Sequence, residues 1–234
     1  MTKDLTIIIP AFNEEGNIRA AIESVVNAID GLVEDYEIIV INDASEDNTQ
    51  AIAQEKAHEN LRIKVVANEI NSGLGGCLRK GAAIAEKTYT TFFPGDNDLA
   101  WESWRDAVKE IGSVDLIISY KANHNKQGRL RKFISKIFTV CMNVVFGLRL
   151  KGYTGPFICK TKHMQSLHVR SNGLAAIASY NIRFLKSRCT YKEIPFIDIG
   201  RREGKTKALR PRSFLRTLKT VFILLNDIYV KKNL

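Results

Sequence analysis

Glu37-Ile-Ile-Val-Ile-Asn-Asp-Ala-Ser45 decides the fold. The apolar run Ile38–Ile41 has no polar break, as expected of a strand covered on both faces. Ser45 and Asn48 then supply the polar chemistry that starts a helix. Asp43 is left at the carboxyl end of the strand, where a carboxylate can accept hydrogen bonds from a ligand.

The same strand-then-helix grammar repeats on either side. Upstream, Thr6–Pro10 is followed by a helical pattern from about Glu14 to Ile29. Downstream come a helix from Ser45 to about His58, a strand Arg62–Ala67, a helix from about Leu74 to Lys87, a strand Thr90–Phe93, a helix Trp101–Ile111 and a strand Val114–Ser119. Such alternation predicts an α/β fold with a mostly parallel central sheet, helices on both faces, and ligand-binding residues just after the strands. Past Gly112 the pattern loosens into an amphipathic stretch Gly128–Leu150, a Gly/Pro-punctuated segment Gly152–Phe157, a helix near Leu174–Lys186, a short strand Tyr191–Pro195 and a basic tail with a last helix.

Composition narrows the class. Of 234 residues, 45% are hydrophobic and 26% charged, which excludes disordered, fibrous and disulfide-dense chains. Cys77, Cys141, Cys159 and Cys189 lack the short pairings of zinc sites and read as reduced cysteines of a cytosolic protein. No secretory leader is visible, because Leu5–Pro10 is followed at once by Asn13, Glu14 and Glu15. The longest uncharged apolar stretch, Ile137–Leu148, is 12 residues, short of the ~20 needed to span a bilayer. The net charge of +10 is uneven: residues 121–151 hold eight Lys/Arg and no acid, and residues 201–234 hold ten against Glu203 and Asp227. Dense basic charge suits a nucleotide, an anionic bilayer or nucleic acid.

Two further strand ends carry chemistry. Pro10-Ala-Phe-Asn-Glu-Glu15 closes the first strand: Pro10 stops the ladder, Phe12 offers a flat face to a base, and Asn13 can cap the next helix. Gly95-Asp-Asn-Asp98 closes the fourth. Two acids flanking one residue suit a divalent cation bridging a diphosphate, although Asp and Asn also favour simple turns. Gly73-Leu-Gly-Gly76 suits either a phosphate cradle at a helix start or close packing against the sheet, the latter favoured.

These pieces, with Arg131–Lys136, Gly155–Phe157 and Arg201-Arg-Glu-Gly-Lys-Thr-Lys207, occur in an order and spacing that resemble glycosyltransferase family 2 of the type A fold. The resemblance is to the branch of dolichyl-phosphate mannose synthases and bacterial polyprenyl-phosphate glycosyltransferases, and it runs from about Thr6 to Leu209. It implies an inverting transferase, dependent on Mg²⁺ or Mn²⁺, that moves a sugar from a nucleotide-sugar to a polyprenyl (dolichyl-type) phosphate. By the resemblance Pro10, Phe12, Glu14, Ile41 and Asp43 hold the nucleoside, and Asp96, Asn97 and Asp98 meet the diphosphate. Asp98, with Asp96, is the metal ligand. Arg131 and Arg201 flank the acceptor phosphate and donor diphosphate, and Lys207 closes a basic loop. Asn42 stands where many members have Asp, Asn97 fills the middle of the Asp-x-Asp, and Ala100 replaces a metal-coordinating Gln of the archaeal mannose synthases.

The resemblance divides the chain into a catalytic domain, residues 1–209, with a nucleotide-sugar half (1–120) and an acceptor half (121–209), and a basic amphipathic C-terminal helix (210–234). A phosphate monoester is already ionised near neutral pH, so such an acceptor needs cations more than a general base. Apolar residues interleave the basic ones at helical spacing in both segments, Leu130 to Cys141 and Phe214 to Leu225. Such helices either lie in a bilayer interface or pack on the core or a second subunit, and the C-terminal one is the better bilayer candidate. The expected location is the cytoplasmic face of a membrane, bound peripherally or through a membrane partner protein. A homo-oligomer is compatible, and no nucleic-acid partner is expected. Two other readings stay open: the same fold acting on a hydroxyl acceptor, which requires a base among Glu102, Asp106, Glu110 and Asp115, and a non-catalytic basic nucleotide- or nucleic-acid-binding module.

Overall fold

The computed structural model describes residues 3–123, 129–173, 175–200 and 221–230. Seven strands form one sheet: β1 (Asp4–Ala11), β2 (Asp35–Asn42), β3 (Ile63–Ala67), β4 (Tyr89–Phe92), β5 (Leu116–Lys121), β6 (Phe157–Lys160) and β7 (Tyr191–Phe196). Their order is β3-β2-β1-β4-β6-β5-β7. Only β6 is antiparallel to its neighbours, β4 and β5. The chain steps outward from β1 to β3 and then returns to the other side of β1 at β4. That reversal opens a crevice above the carboxyl ends of β1, β2 and β4, where α/β sheets bind ligands.

Both faces are covered, which explains the unbroken aliphatic strands. Ile7, Ile9, Ile38 and Val40 pack with α1 (Ile18–Ile29) and with Trp104 of α4 (Trp101–Lys109). On the other face Ile8, Ile39 and Ile41 pack with α3 (Gly73–Ala83) and α7 (Ala175–Lys186), together with Met142 and Phe146 of α5 (Arg129–Phe146) and Met164 of α6 (Thr161–Ser166). The remaining helix, α2 (Thr49–Glu59), crosses from β2 to β3.

Two departures from the sequence expectation are small in length but not in consequence. The Gly/Pro segment ends in β6, and α6 follows it directly. Four residues give too few repeats of the strand period to stand out, and pairing with β4 and β5 is what holds β6 extended. The described end of the chain, residues 221–230, is helical, with a π-helical turn over Asn226–Val230. It is docked: Leu224 and Ile228 are buried in the second core, and Asp227 pairs with Arg183 of α7 at 2.7 Å, their side chains only 4% and 3% exposed. Among the described residues no helix is long and apolar enough to cross a membrane.

Candidate active site

Three loops meet above the crevice, and each turns through one residue in the left-handed region: Asn13 (φ 55°) after β1, Ala44 (φ 60°) after β2 and Asn97 (φ 50°) after β4. Asn tolerates this conformation; for Ala it costs about 1 kcal/mol. Strained turns persist where the surroundings over-determine them. Here the β1 and β2 loops are stitched together. Asn13 N–H donates to Ser45 Oγ (3.0 Å) and its Oδ1 accepts from Glu46 N–H (2.9 Å). Glu14 N–H donates to Thr49 Oγ1 (2.7 Å), and Glu15 Oε2 accepts from both Asn48 nitrogens.

Asp43 is buried, and its carboxylate is gripped by the turn leading into α3. Oδ1 accepts from Asn68 Nδ2 (2.7 Å), Ser72 N–H (2.8 Å) and Ser72 Oγ (2.9 Å), and Oδ2 accepts from Gly73 N–H (2.8 Å). Burial pushes its pKa up, but the donors from Ser72, Asn68 and Gly73 prevail and hold it below the usual carboxylate range. The start of α3 therefore already has its anion, and that anion is a side chain of this protein. Of the two readings of Gly73–Gly76, close approach fits: a Cβ on Gly73 or Gly75 would strike the carbonyl oxygens of Asn172 and Ser171. The surface met is the loop before α7 rather than the sheet; Gly81, lower on α3, is the one against Ile8.

The other nucleoside candidates are placed unequally. Pro10 and Phe12 sit half-buried at the end of β1. The buried Glu14 Oε2 accepts from Asn17 Nδ2 at 2.8 Å, which secures the entry to α1. Ile41 is fully buried in the core below α3, so its side chain faces away from the crevice. Asn42, where an Asp was the family expectation, accepts from Ser45 N–H (3.2 Å) and donates to Gln50 (2.9 Å), the double role that an amide fills and a carboxylate does not.

The Gly95–Asp98 turn lies against β1, where a Cβ on Gly95 would come within 2.5 Å of the Pro10 carbonyl oxygen. Asp96 and Asp98 are half-buried on this turn; Asn97 between them is buried, its Oδ1 without a hydrogen-bond partner. Among the described residues no three His, Cys, Asp or Glu side chains gather into a metal cage. Two carboxylates on one turn fit a hard cation that completes its shell from a diphosphate and water, as Mg²⁺ does.

What sequence reading did not foresee is the strand-like run beyond β7. Ile199 N–H donates to Asp98 O (2.8 Å), Leu99 bridges Asp198, and Ala100 N–H donates to Ile197 O (2.9 Å). Asp198 is ion-paired with Lys121 at the end of β5, and its main chain exchanges two 2.8 Å bonds with the Asn123 side chain. Position was the available signal, since Lys121 ends one strand and Asp198 follows another. This run brings the chain to the Asp98 turn immediately before the basic motif. Arg201 and Lys207 lie outside the described residues, and of Arg131 only its place in the first turn of α5 is described. The Gly155 motif closes on β5, with Ser119 N–H donating to Pro156 O at 2.8 Å.

A crevice at the sheet reversal, lined by a half-buried Asp-x-Asp turn and an aromatic residue, defines the type A glycosyltransferase class. The chain belongs to glycosyl transferase family 2, whose model matches residues 6–173. It is 25% identical to a dodecaprenyl-phosphate galacturonate synthase of Rhizobium johnstonii, over 70% of this chain and 52% of that protein. It is also 25% identical to a dolichyl-phosphate beta-glucosyltransferase of Trichomonas vaginalis, over 56% of this chain and 45% of that protein. The chain thus spans about half the length of these curated relatives. The fold matches a crystal structure of glucosyl-3-phosphoglycerate synthase from Mycobacterium tuberculosis, in complex with Mn²⁺, UDP-glucose and phosphoglyceric acid. The TM-score is 0.72 at 19% identity, over 95% of this chain and 79% of the other.

Proposed function

We propose that the chain transfers a sugar, with inversion, from a nucleotide-sugar to the phosphate of a polyprenyl lipid. The observation that carries the proposal is the pairing of residues 197–199 with the Asp98 turn, two residues before the Arg201–Lys207 motif begins in the sequence. Phe12 and Pro10 would bound the base, and Asp43 would shape that wall through its hold on α3 while offering Oδ2 to a base or ribose donor. Asp96 and Asp98 would hold the divalent cation, which when bound neutralises charge developing on the leaving diphosphate. Arg131, Arg201 and Lys207 would clamp phosphate oxygens, Arg by bidentate contacts.

The acceptor class is supported by the two relatives whose names specify a dolichyl or dodecaprenyl phosphate, and by where three of the four candidate acids lie. The fourth, Glu102, stands in the first turn of α4 beside the Asp98 turn and is the one of the four placed to serve a hydroxyl acceptor. Asp106 pairs with Lys109, and Glu110 pairs with Lys192. Asp115 binds Thr190 just before β5 begins, at the sheet edge opposite the crevice. An ionised phosphate oxygen attacks without a base; a hydroxyl does not.

The test is transfer from UDP-, GDP- and dTDP-sugars to polyprenyl phosphate with Mg²⁺ or Mn²⁺, comparing wild type with Asp98→Ala and Arg201→Ala. Both variants are expected to stay folded and lose transfer by at least about a hundred-fold, the scale of removing one transition-state charge contact. Undiminished turnover in Asp98→Ala would remove the mechanism.

A further inference from the structure

The amphipathic α5 is apolar on two opposite sides, and the core uses only one of them. Phe138, Met142 and Phe146, four residues apart, turn into the core. Phe133, Ile137, Val140 and Val144 form a second stripe at helical spacing that faces outward, from 47% exposed at Ile137 to 77% at Val144. Ile134, Val145 and Cys141 widen it. An outward apolar stripe of this length is unusual on a soluble surface and marks a docking face. The same helix carries Arg129, Arg131, Lys132 and Lys136 and no acid, with Lys132 and Lys136 exposed beside the stripe.

Resting on the polyprenyl-phosphate reading above, we propose that this outward face of α5 docks the protein onto an anionic lipid bilayer. Charge selects the bilayer over a second copy. A second copy brings no acid on α5 to answer these basic residues, whereas anionic headgroups neutralise them while the stripe enters the acyl boundary. Position agrees. α5 begins eight residues after β5, which runs parallel to β4 across the antiparallel β6, so its carboxyl end lies on the same side of the sheet as the Asp96–Asp98 turn and docking there brings the crevice to the headgroup layer. The C-terminal helical segment is the weaker candidate, because Leu224, Ile228 and Asp227 are committed to the core and to Arg183.

The test is co-sedimentation of the full chain with vesicles of mixed phosphatidylglycerol and phosphatidylcholine, and with phosphatidylcholine alone. Wild type is expected to pellet with the anionic vesicles and to be released by salt. Val140→Asp/Val144→Asp should lower partitioning by about ten-fold or more, the equivalent of two lost aliphatic insertions, without changing the melting temperature. Lys132→Glu/Lys136→Glu tests the charge half independently and should weaken binding to anionic vesicles alone. The proposal is overturned if wild type stays in the supernatant, if both double variants pellet like wild type, or if the valine substitutions instead dissolve a concentration-dependent dimer. Transfer to a short, water-soluble prenyl phosphate separates the two claims. Turnover without vesicle binding sinks the docking face alone, and vesicle binding without turnover on any acceptor sinks the transfer reading alone.

Discussion

Asp43→Ala is the substitution that most directly measures how the crevice is built. The carboxylate accepts four hydrogen bonds, two from the main-chain N–H groups of Ser72 and Gly73 at the start of α3. Deleting it strands those donors, each costing about 1–3 kcal/mol, and removes a favourable charge at a helix start worth about 0.3–1 kcal/mol. The expected loss is about 2–7 kcal/mol, or a fall in melting temperature of roughly 4–28 °C for a chain of this size. Urea titration checks it: the midpoint should drop with the slope unchanged. The sign of the pH dependence follows from the depressed pKa. The stability Asp43 contributes is complete above its unfolded value near 3.9 and is lost as pH falls through the lower folded value, so wild type should lose its advantage over Asp43→Ala in that acid window. Glu37, also held low against its burial by Glu86 N–H, Lys64 and Thr6, adds acid lability common to both proteins. An unchanged urea midpoint with nucleotide binding abolished would refute the reasoning and make Asp43 purely a ligand contact.

Two other outcomes follow from single features. Arg188, exposed where α7 ends, holds φ at 62°, so Arg188→Gly should raise stability by up to about 1 kcal/mol, read as a melting shift of a few degrees. Arg183→Met should cost about 3–5 kcal/mol by leaving Asp227 buried and unpaired, and Arg183→Met/Asp227→Leu should recover most of that loss; a double variant no better than the single would refute the account.

The strand and helix order through β5, and the strand-end position of Phe12, Asp43 and Asp96–Asp98, were legible in the sequence. Long aliphatic runs and the polar residues that end them are local signals. β6 was not legible, because four residues hold too little periodicity and its extended form comes from its neighbours. Nor was the role of Asp43, whose donors lie 25 to 30 residues away. The same holds for residues 197–199 on the Asp98 turn and for Asp227 under α7, each a pairing across about 45 to 100 residues. Sequence alone determined which residues stand at the mouths of strands, since pattern fixes where a strand stops. Only the tertiary structure decided that Asp43 spends its carboxylate holding the start of α3, because hydrogen-bond partners distant in sequence are chosen by the packing of the whole sheet.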